Sequence, residues 1–345
     1  MQKQPPEVSV VTTLYQSAPY LREFYRRTLS EIKKTGFTYE FVLVNDGSPD
    51  DSLEVALDLQ RQDSHIVIVD LSRNFGHHQA IFQGLTLSRG LRIFLIDSDL
   101  EESPELLSKF MEKFSETSCD VAYGVQVTRK GGIVERLSGG IFYKLFNYLA
   151  DIDVPENWMI ARLMSRRYVD ALLSFQEHSL FLGGLMSATG FLQVPVYMQK
   201  LHKGSTTYTL RRKMEAFTTA VTSFSAKPLQ LVFYSGFCIS AVSVIYIAWL
   251  TALRLFFDTH IDGFTTLAVS IWFLGGLIIL FLGIIGIYVA KIFVQTKNRP
   301  LSIVRQVYAV DDHLDRAEAS PGHHQSKGGL GGGFNAAPVA RDPRI

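Results

Sequence analysis

The chain has 345 residues, 47% of them hydrophobic and 19% charged, which is more apolar than a typical soluble domain. A formal net charge of +1 excludes the broad basic field of a nucleic-acid binder. The two cysteines, Cys119 and Cys238, lie far apart in different kinds of segment and exclude a disulfide framework or a zinc site.

The opening stretch MQKQPPEVSVVTT has no apolar run behind a basic start, so no secretory signal is expected. From residue 8 to residue 126, apolar runs alternate with amphipathic stretches. VSVVTTL, EFVLVND, HIVIVDLS, LRIFLIDSD and DVAYGVQV read as five buried strands. APYLREFYRRTLSEIKK, SPDDSLEVALDLQRQ, HQAIFQGLTLSRG and SPELLSKFMEKFSE read as the intervening helices. Ser48 with Asp51 is a variant capping box for the second helix. Ser103 is the expected N-cap of the fourth, with Pro104 in its first turn. This alternation implies an α/β domain with a mostly parallel sheet covered on both faces.

In such a sheet the ligand site lies beyond the carboxyl ends of the strands. Tyr15 and Gln16 follow strand one, Asn45 and Asp46 strand two, and Arg73, Asn74 and His77 strand three. Asp97 and Asp99 follow strand four, Arg129 and Lys130 strand five. No G-x-G-x-x-G follows the first strand and no G-x-x-x-x-G-K-[ST] occurs, so neither a dinucleotide fold nor a P-loop is supported. Phosphates must be handled another way. The segment DSDLEE crowds four carboxylates between Asp97 and Glu102. Asp97 and Asp99 suit Mg²⁺ or Mn²⁺, hard cations often held by one or two carboxylates plus substrate phosphates. Glu102 and Glu105 read as acidic groups favouring the dipole of the following helix.

The C-terminal half differs. No charged residue occurs from Leu229 to Leu253 or from Phe264 to Ala290, and each run exceeds the roughly 20 residues needed to cross a bilayer core. The short connector makes them a hairpin. Arg211, Arg212, Lys213 and Lys227 before it, and Lys291, Lys297, Arg299 and Arg305 after it, point both ends and the N-terminal domain to the cytoplasm. Gly236 and Ser240 have small-xxx-small spacing, a pattern for close helix packing. IVERLSGGIFYKLFNYLA and LRRKMEAFTTAVTSFSA are amphipathic candidates for the membrane interface. Beyond Asp311 the Gly-rich composition reads as a disordered tail.

The stretches VVTTLYQSAPYL, FVLVNDGSPDDSLEV, VDLSRNFGHHQAIFQGL, FLIDSDLEESPEL and DVAYGVQVTRKG resemble, in order and spacing, family 2 glycosyltransferases with the GT-A fold. The resemblance is to the polyprenyl-phosphate glycosyltransferase group, and it continues through RLMSRRYVDALL, the hairpin and RPLSIVRQVY, covering about residues 8 to 308. It implies a GT-A catalytic domain over residues 1–208, an amphipathic juxtamembrane helix over 209–228, and membrane helices over 229–257 and 264–294. A cytoplasmic return segment over 295–310 and the tail over 311–345 complete the chain. It implies that Tyr15 and Asp46 contact the nucleotide, that Asp97 and Asp99 bind the metal with Glu101 beside them, and that Arg129 and Arg136 hold the lipid phosphate. Arg162 joins the candidates for that phosphate, and Asp97, Asp99 and Arg129 are the expected catalytic groups.

The implied reaction moves a sugar with inversion from a nucleotide-sugar, a UDP-sugar by the bacterial relatives, to undecaprenyl phosphate. It takes place at the cytoplasmic face of the inner membrane, in a homo-oligomer such as a tetramer. Ile160 stands where many relatives have an acidic residue, and Thr13 to Ser17 depart from the usual first motif. These departures leave a processive polysaccharide synthase and a non-catalytic membrane subunit as alternatives. Against the first, none of the three Trp lies in a Q-x-x-R-W context.

Overall fold

The computed structural model describes residues 4–127, 157–175, 177, 182–198, 221–222, 225–257, 263–297 and 299–309. Four apolar runs form the parallel strands β1 (Val8–Leu14), β2 (Tyr39–Asn45), β3 (Ile66–Leu71) and β4 (Arg92–Leu95), in spatial order β4-β1-β2-β3. Every residue of β1 and β3 is buried, which is why these strands read as continuous apolar runs.

Helices α1 (Ala18–Thr35), α2 (Ser52–Gln62) and α3 (His77–Leu87) connect these strands, and α4 (Leu106–Thr117) follows β4. Strand alternation sorts the core into two layers. Phe41, Ile68 and Phe94 pack with Leu21, Phe24, Leu59 and Phe110 on one face. Val42, Val69 and Leu95 pack with Ile81 and Leu85 on the other. Gly84 of α3 lies so close to the sheet that an added Cβ would sit 2.6 Å from Val11 Cγ1, so only glycine allows this helix–sheet contact.

The fifth apolar run forms β5 (Val121–Gln126), but it does not lie beside β4. Between them runs β6 (Trp158–Ser165), antiparallel to both, with Met159, Ala161, Leu163 and Met164 buried. Helices α5 (Arg166–Leu173) and α6 (Leu182–Ala188) lead to β7 (Gln193–Met198), which pairs in parallel with β5.

Two helices, α7 (Lys227–Phe257) and α8 (Phe264–Thr296), follow. Their windows Lys227–Tyr246 and Phe273–Thr296 have mean hydropathies of 1.7 and 2.7, with 0% buried inside the protein. Phe233, Trp249, Ile279 and Leu282 are exposed. Core helices would hide such side chains, so both helices need an apolar surrounding. Among the described residues, an added Cβ at Gly236 meets nothing within 4 Å.

After the hairpin the chain returns to the sheet. Strand β8 (Val304–Tyr308) pairs antiparallel with β3, and among the described residues the sheet has eight strands in the order β7-β5-β6-β4-β1-β2-β3-β8. The segment expected as a simple return is therefore part of the α/β domain, and the apolar hairpin is an insertion between two strands of one sheet.

Two expected helix starts are corrected. The N-cap of α2 is Asp51, which makes no side-chain capping bond. Ser48, Asp50 and Ser52 instead receive the backbone amides of Gln16, Ala18 and Ser17, at 2.8, 3.1 and 2.9 Å. Of these amides only that of Ala18 belongs to the first turn of α1, whose N-cap Ser17 makes no side-chain capping bond; the other two fix the turn that leads into the helix. Helix α4 begins at Leu106, and Ser103 with Pro104 forms the turn before it. Glu105 spans to α1 and accepts from Arg27 Nε at 2.9 Å and Nη2 at 2.6 Å. The Arg27 guanidinium, aided by Ser103, pulls its carboxyl down to about 2.

Candidate active site

The order of strands reverses between β1 and β4, since β2 and β3 extend to one side of β1 and β4 lies on the other. This is the switch point at which α/β sheets bind ligands. Ser98 ties its two sides together. Its hydroxyl donates to Thr13 O at 3.0 Å and lies 2.9 Å from Ser17 Oγ, pinning the DSD turn to the end of β1.

Asp97 and Asp99 emerge from this turn, both partly exposed. Asp99 Oδ1 accepts from Glu101 N at 3.0 Å, and Leu100 between them has φ +62. Gln16, at the end of β1, has φ +55. Left-handed backbone at non-glycine residues stores strain that the surrounding contacts must hold, and here it occurs on both sides of the switch point.

His77, the first residue of α3, reaches into the same space. Its Nδ1 shares a hydrogen bond of 3.0 Å with Thr13 Oγ1, and its Nε2 lies 3.5 Å from Asp97 Oδ1. Desolvation lowers its pKa, opposed by the charges of Asp46 and Asp99. Four groups, Asp46, His77, Asp97 and Asp99, therefore share one electrostatic neighbourhood. Sequence reasoning placed His77 after strand three but gave it no role. Its position at the start of the helix following that strand was the available signal.

Asp46 is only 3% exposed. Its two oxygens accept from Phe75 N at 2.7 Å and Gly76 N at 3.0 Å, so it clamps the loop between β3 and α3. Burial raises its pKa, while those amides and the charges of His77 and Arg73 act the other way. Gly47 beside it has φ +59, and a Cβ there would lie 2.5 Å from both Arg73 C and Asn74 N. Gly47→Ala is expected to cost at least about 1–2 kcal/mol in left-handed strain and to displace this loop. Thermal unfolding measures it; an unchanged midpoint would refute the prediction.

Tyr15 is 50% exposed at the end of β1, an open ring at the mouth of the site. Glu101 is partly exposed next to the carboxylate pair. Glu102 has another place from the one expected. It is 2% exposed, and it accepts from Ile160 N at 3.2 Å and Ala161 N at 2.7 Å. It grips β6 rather than serving the dipole of α4.

Arg162 does not fit the expected phosphate contact. It is 3% exposed, and its guanidinium donates to Ile160 O at 3.1 Å and Met159 O at 3.0 Å, 5.2 Å from the Trp158 ring. Burial lowers its pKa, while the Tyr168 and Glu102 charges oppose that shift. Arg129, Lys130 and Arg136 lie outside the described residues, as do nearly all of the two amphipathic stretches.

No group of three or more His, Cys, Asp or Glu side chains is gathered for a metal among the described residues. Asp97 and Asp99 instead offer hard carboxylate oxygens, two residues apart and both partly exposed. That fits a cation whose remaining ligands come from a phosphate-bearing substrate and water.

Comparison with known proteins decides the family. The profile for Glycosyl transferase family 2 matches residues 9–173, which include Tyr15, Asp46, His77, Asp97, Asp99, Glu102 and Arg162. A Mycobacterium tuberculosis protein described as a glycosyltransferase is 42% identical over 93% of this chain and 95% of its own length.

The chain is a family 2 glycosyltransferase.

Other relatives are similar along their whole length. Glycosyltransferase YkcC of Bacillus subtilis is 34% identical over 89% of this chain and 95% of its own. The prophage bactoprenol glucosyl transferase homolog of Escherichia coli is 30% identical over 87% of this chain and 99% of its own. Among solved structures, mannosyl-3-phosphoglycerate synthase from Rubrobacter xylanophilus is similar with a TM-score of 0.45 and 16% identity. That likeness covers 63% of this chain and 73% of the other. The mostly parallel sheet of this glycosyltransferase, with helices between its strands, is the GT-A fold that the sequence motifs led us to expect.

Proposed function

We propose that this glycosyltransferase transfers a sugar, with inversion, from a nucleotide-sugar to a polyprenyl phosphate, and that the donor is a UDP-sugar and the lipid undecaprenyl phosphate. One observation carries the reading. The switch-point edge that gathers Asp46, Asp97 and Asp99 belongs to a sheet whose last strand returns from a long apolar hairpin. In this reading a diphosphate-handling site is tied to a membrane-held domain. Whole-length likeness to bactoprenol glucosyl transferases supports it.

In this reading Asp46 and Tyr15 border the nucleotide, and Asp97 and Asp99, with Glu101 beside them, hold Mg²⁺ or Mn²⁺. A cation held there would neutralise charge on the departing diphosphate. A phosphate oxygen of the lipid attacks the anomeric carbon as the bond from that carbon to the diphosphate oxygen breaks. The nucleoside diphosphate leaves from the opposite face. The second pKa of a phosphate monoester is about 6, so the acceptor arrives as an anion and needs no general base. The apolar Ile160 is compatible with that. Arg129 and Arg136 are the proposed phosphate partners, suited by the bidentate fork of Arg. The Lys and Arg residues flanking the hairpin favour a cytoplasmic site at the inner membrane. A homo-oligomer belongs to the same reading.

The test is a donor panel on the purified full chain with undecaprenyl phosphate and Mg²⁺ or Mn²⁺. One UDP-sugar is expected to give a chloroform-soluble monoglycosyl lipid. Failure of every donor would favour a non-catalytic subunit, and a long polymer would favour a polysaccharide synthase.

A further inference from the structure

The loop from Ser72 to Gly76 is held at both ends. Its far end is clamped by the carboxylate of Asp46 on the amides of Phe75 and Gly76. Its near end is held by the strand that returns from the hairpin. Arg305 of β8 donates from Nη2 to Ser72 O at 2.6 Å and from Nη1 to Asp70 Oδ2 at 3.2 Å, and Ser72 N donates to Ile303 O at 2.9 Å.

The contacts continue inward. Asp70, at the end of β3, is 1% exposed, and its Oδ1 accepts from Asn45 Nδ2 at 2.8 Å. Asn45 Oδ1 accepts from Ser48 N at 3.2 Å, on the far side of Gly47. A chain of polar contacts thus runs from Arg305 through Asp70 and Asn45 into the turn that carries Asp46 and Gly47. That turn packs so closely on Arg73 and Asn74 that a small movement of the loop must be felt by both.

We infer that Arg305 is a positioning residue for the donor nucleotide: from the strand beyond the apolar hairpin it fixes, through Asp70–Asn45 and Ser72, the two loops around Asp46. The inference rests on the proposed reading of Asp46 as part of the nucleotide site. Arg305 touches no substrate in this account. It sets where the loops stand before the donor arrives, so its loss acts on donor binding more than on turnover of bound donor. Ser302, which donates to Gln83 Oε1 at 3.0 Å, holds the same returning segment without entering the chain of contacts.

The full chain in lipid nanodiscs is titrated with UDP in the presence of Mn²⁺, and donor KM and kcat are measured on the same preparations. Arg305→Met is expected to weaken UDP binding and raise donor KM by about tenfold, with kcat within about twofold of the starting protein. Arg305→Lys should recover part of the loss through its retained charge, and Ser302→Ala should leave UDP affinity unchanged. Asp70→Asn combined with Arg305→Met should fall short of the sum of the single effects, because both act through one path. Unchanged UDP affinity in Arg305→Met would overturn the inference alone. So would a loss of kcat at constant KM, or an equal UDP defect in Ser302→Ala. A starting protein that binds no nucleoside diphosphate would overturn both the inference and the reading on which it rests.

Discussion

Asp99→Asn is expected to reduce sugar transfer by about 10²- to 10³-fold, equivalent to roughly 3–4 kcal/mol of transition-state stabilisation, while thermal unfolding stays almost unchanged. The structure makes this a clean substitution. Asp99 Oδ1 accepts from Glu101 N, and the carbonyl of Asn can keep that bond and so keep the turn around Leu100. Only the charge is lost. In the proposed reading that charge holds a divalent cation against the diphosphate, so affinity for Mn²⁺ in the presence of UDP should fall in parallel. Binding and rate are measured separately, by Mn²⁺ titration and by initial velocities with the best donor. Undiminished turnover together with undiminished Mn²⁺ binding would remove the carboxylate pair from the reaction.

The largest expected loss of stability comes from Glu102, a residue with no expected contact with substrate. Glu102→Ala should destabilise the protein by about 3–5 kcal/mol, the range for breaking a buried charge arrangement from one side. The amides of Ile160 and Ala161 would lose their acceptor, and the charge of buried Arg162 would lose an opposing charge nearby. Glu102→Gln keeps the shape and one acceptor oxygen and should cost distinctly less. Unfolding of the detergent-held full chain measures both. A loss below about 1 kcal/mol in the alanine variant would show that β6 does not depend on this anchor. Because Glu102 directly follows the DSDLE turn, the alanine variant should also lose activity through movement of Asp99 relative to β6.

The acidic segment therefore divides in a way that its sequence did not disclose. Asp97 lies beside His77 and Asp99 accepts from Glu101 N, both partly exposed, while Glu102 turns inward to β6 and Glu105 reaches α1 through Arg27. A run of carboxylates reads alike in sequence whichever way each side chain faces. Burial and partner decide its role, and both are tertiary facts.

The sequence by itself determined the parallel heart of the sheet, because strands covered on both faces must be apolar throughout and separated by helices. It also determined which residues arrive at one edge: in that architecture the carboxyl ends of the strands point the same way, so Asp46, Asp97 and Asp99 were legible from position alone. The two apolar runs were equally plain, since length and lack of charge suffice. Tertiary structure alone decided the rest. It inserted β6 between β4 and β5, set Glu102 on an amide 58 residues away, and buried Arg162 against the carbonyls of Met159 and Ile160. It also brought Arg305 back across 235 residues to Asp70. Local periodicity reports which face of an element is apolar. Which distant element supplies the partner of a buried charge depends on how the whole chain closes, and that is settled only when desolvating each charge has been offset by a specific contact.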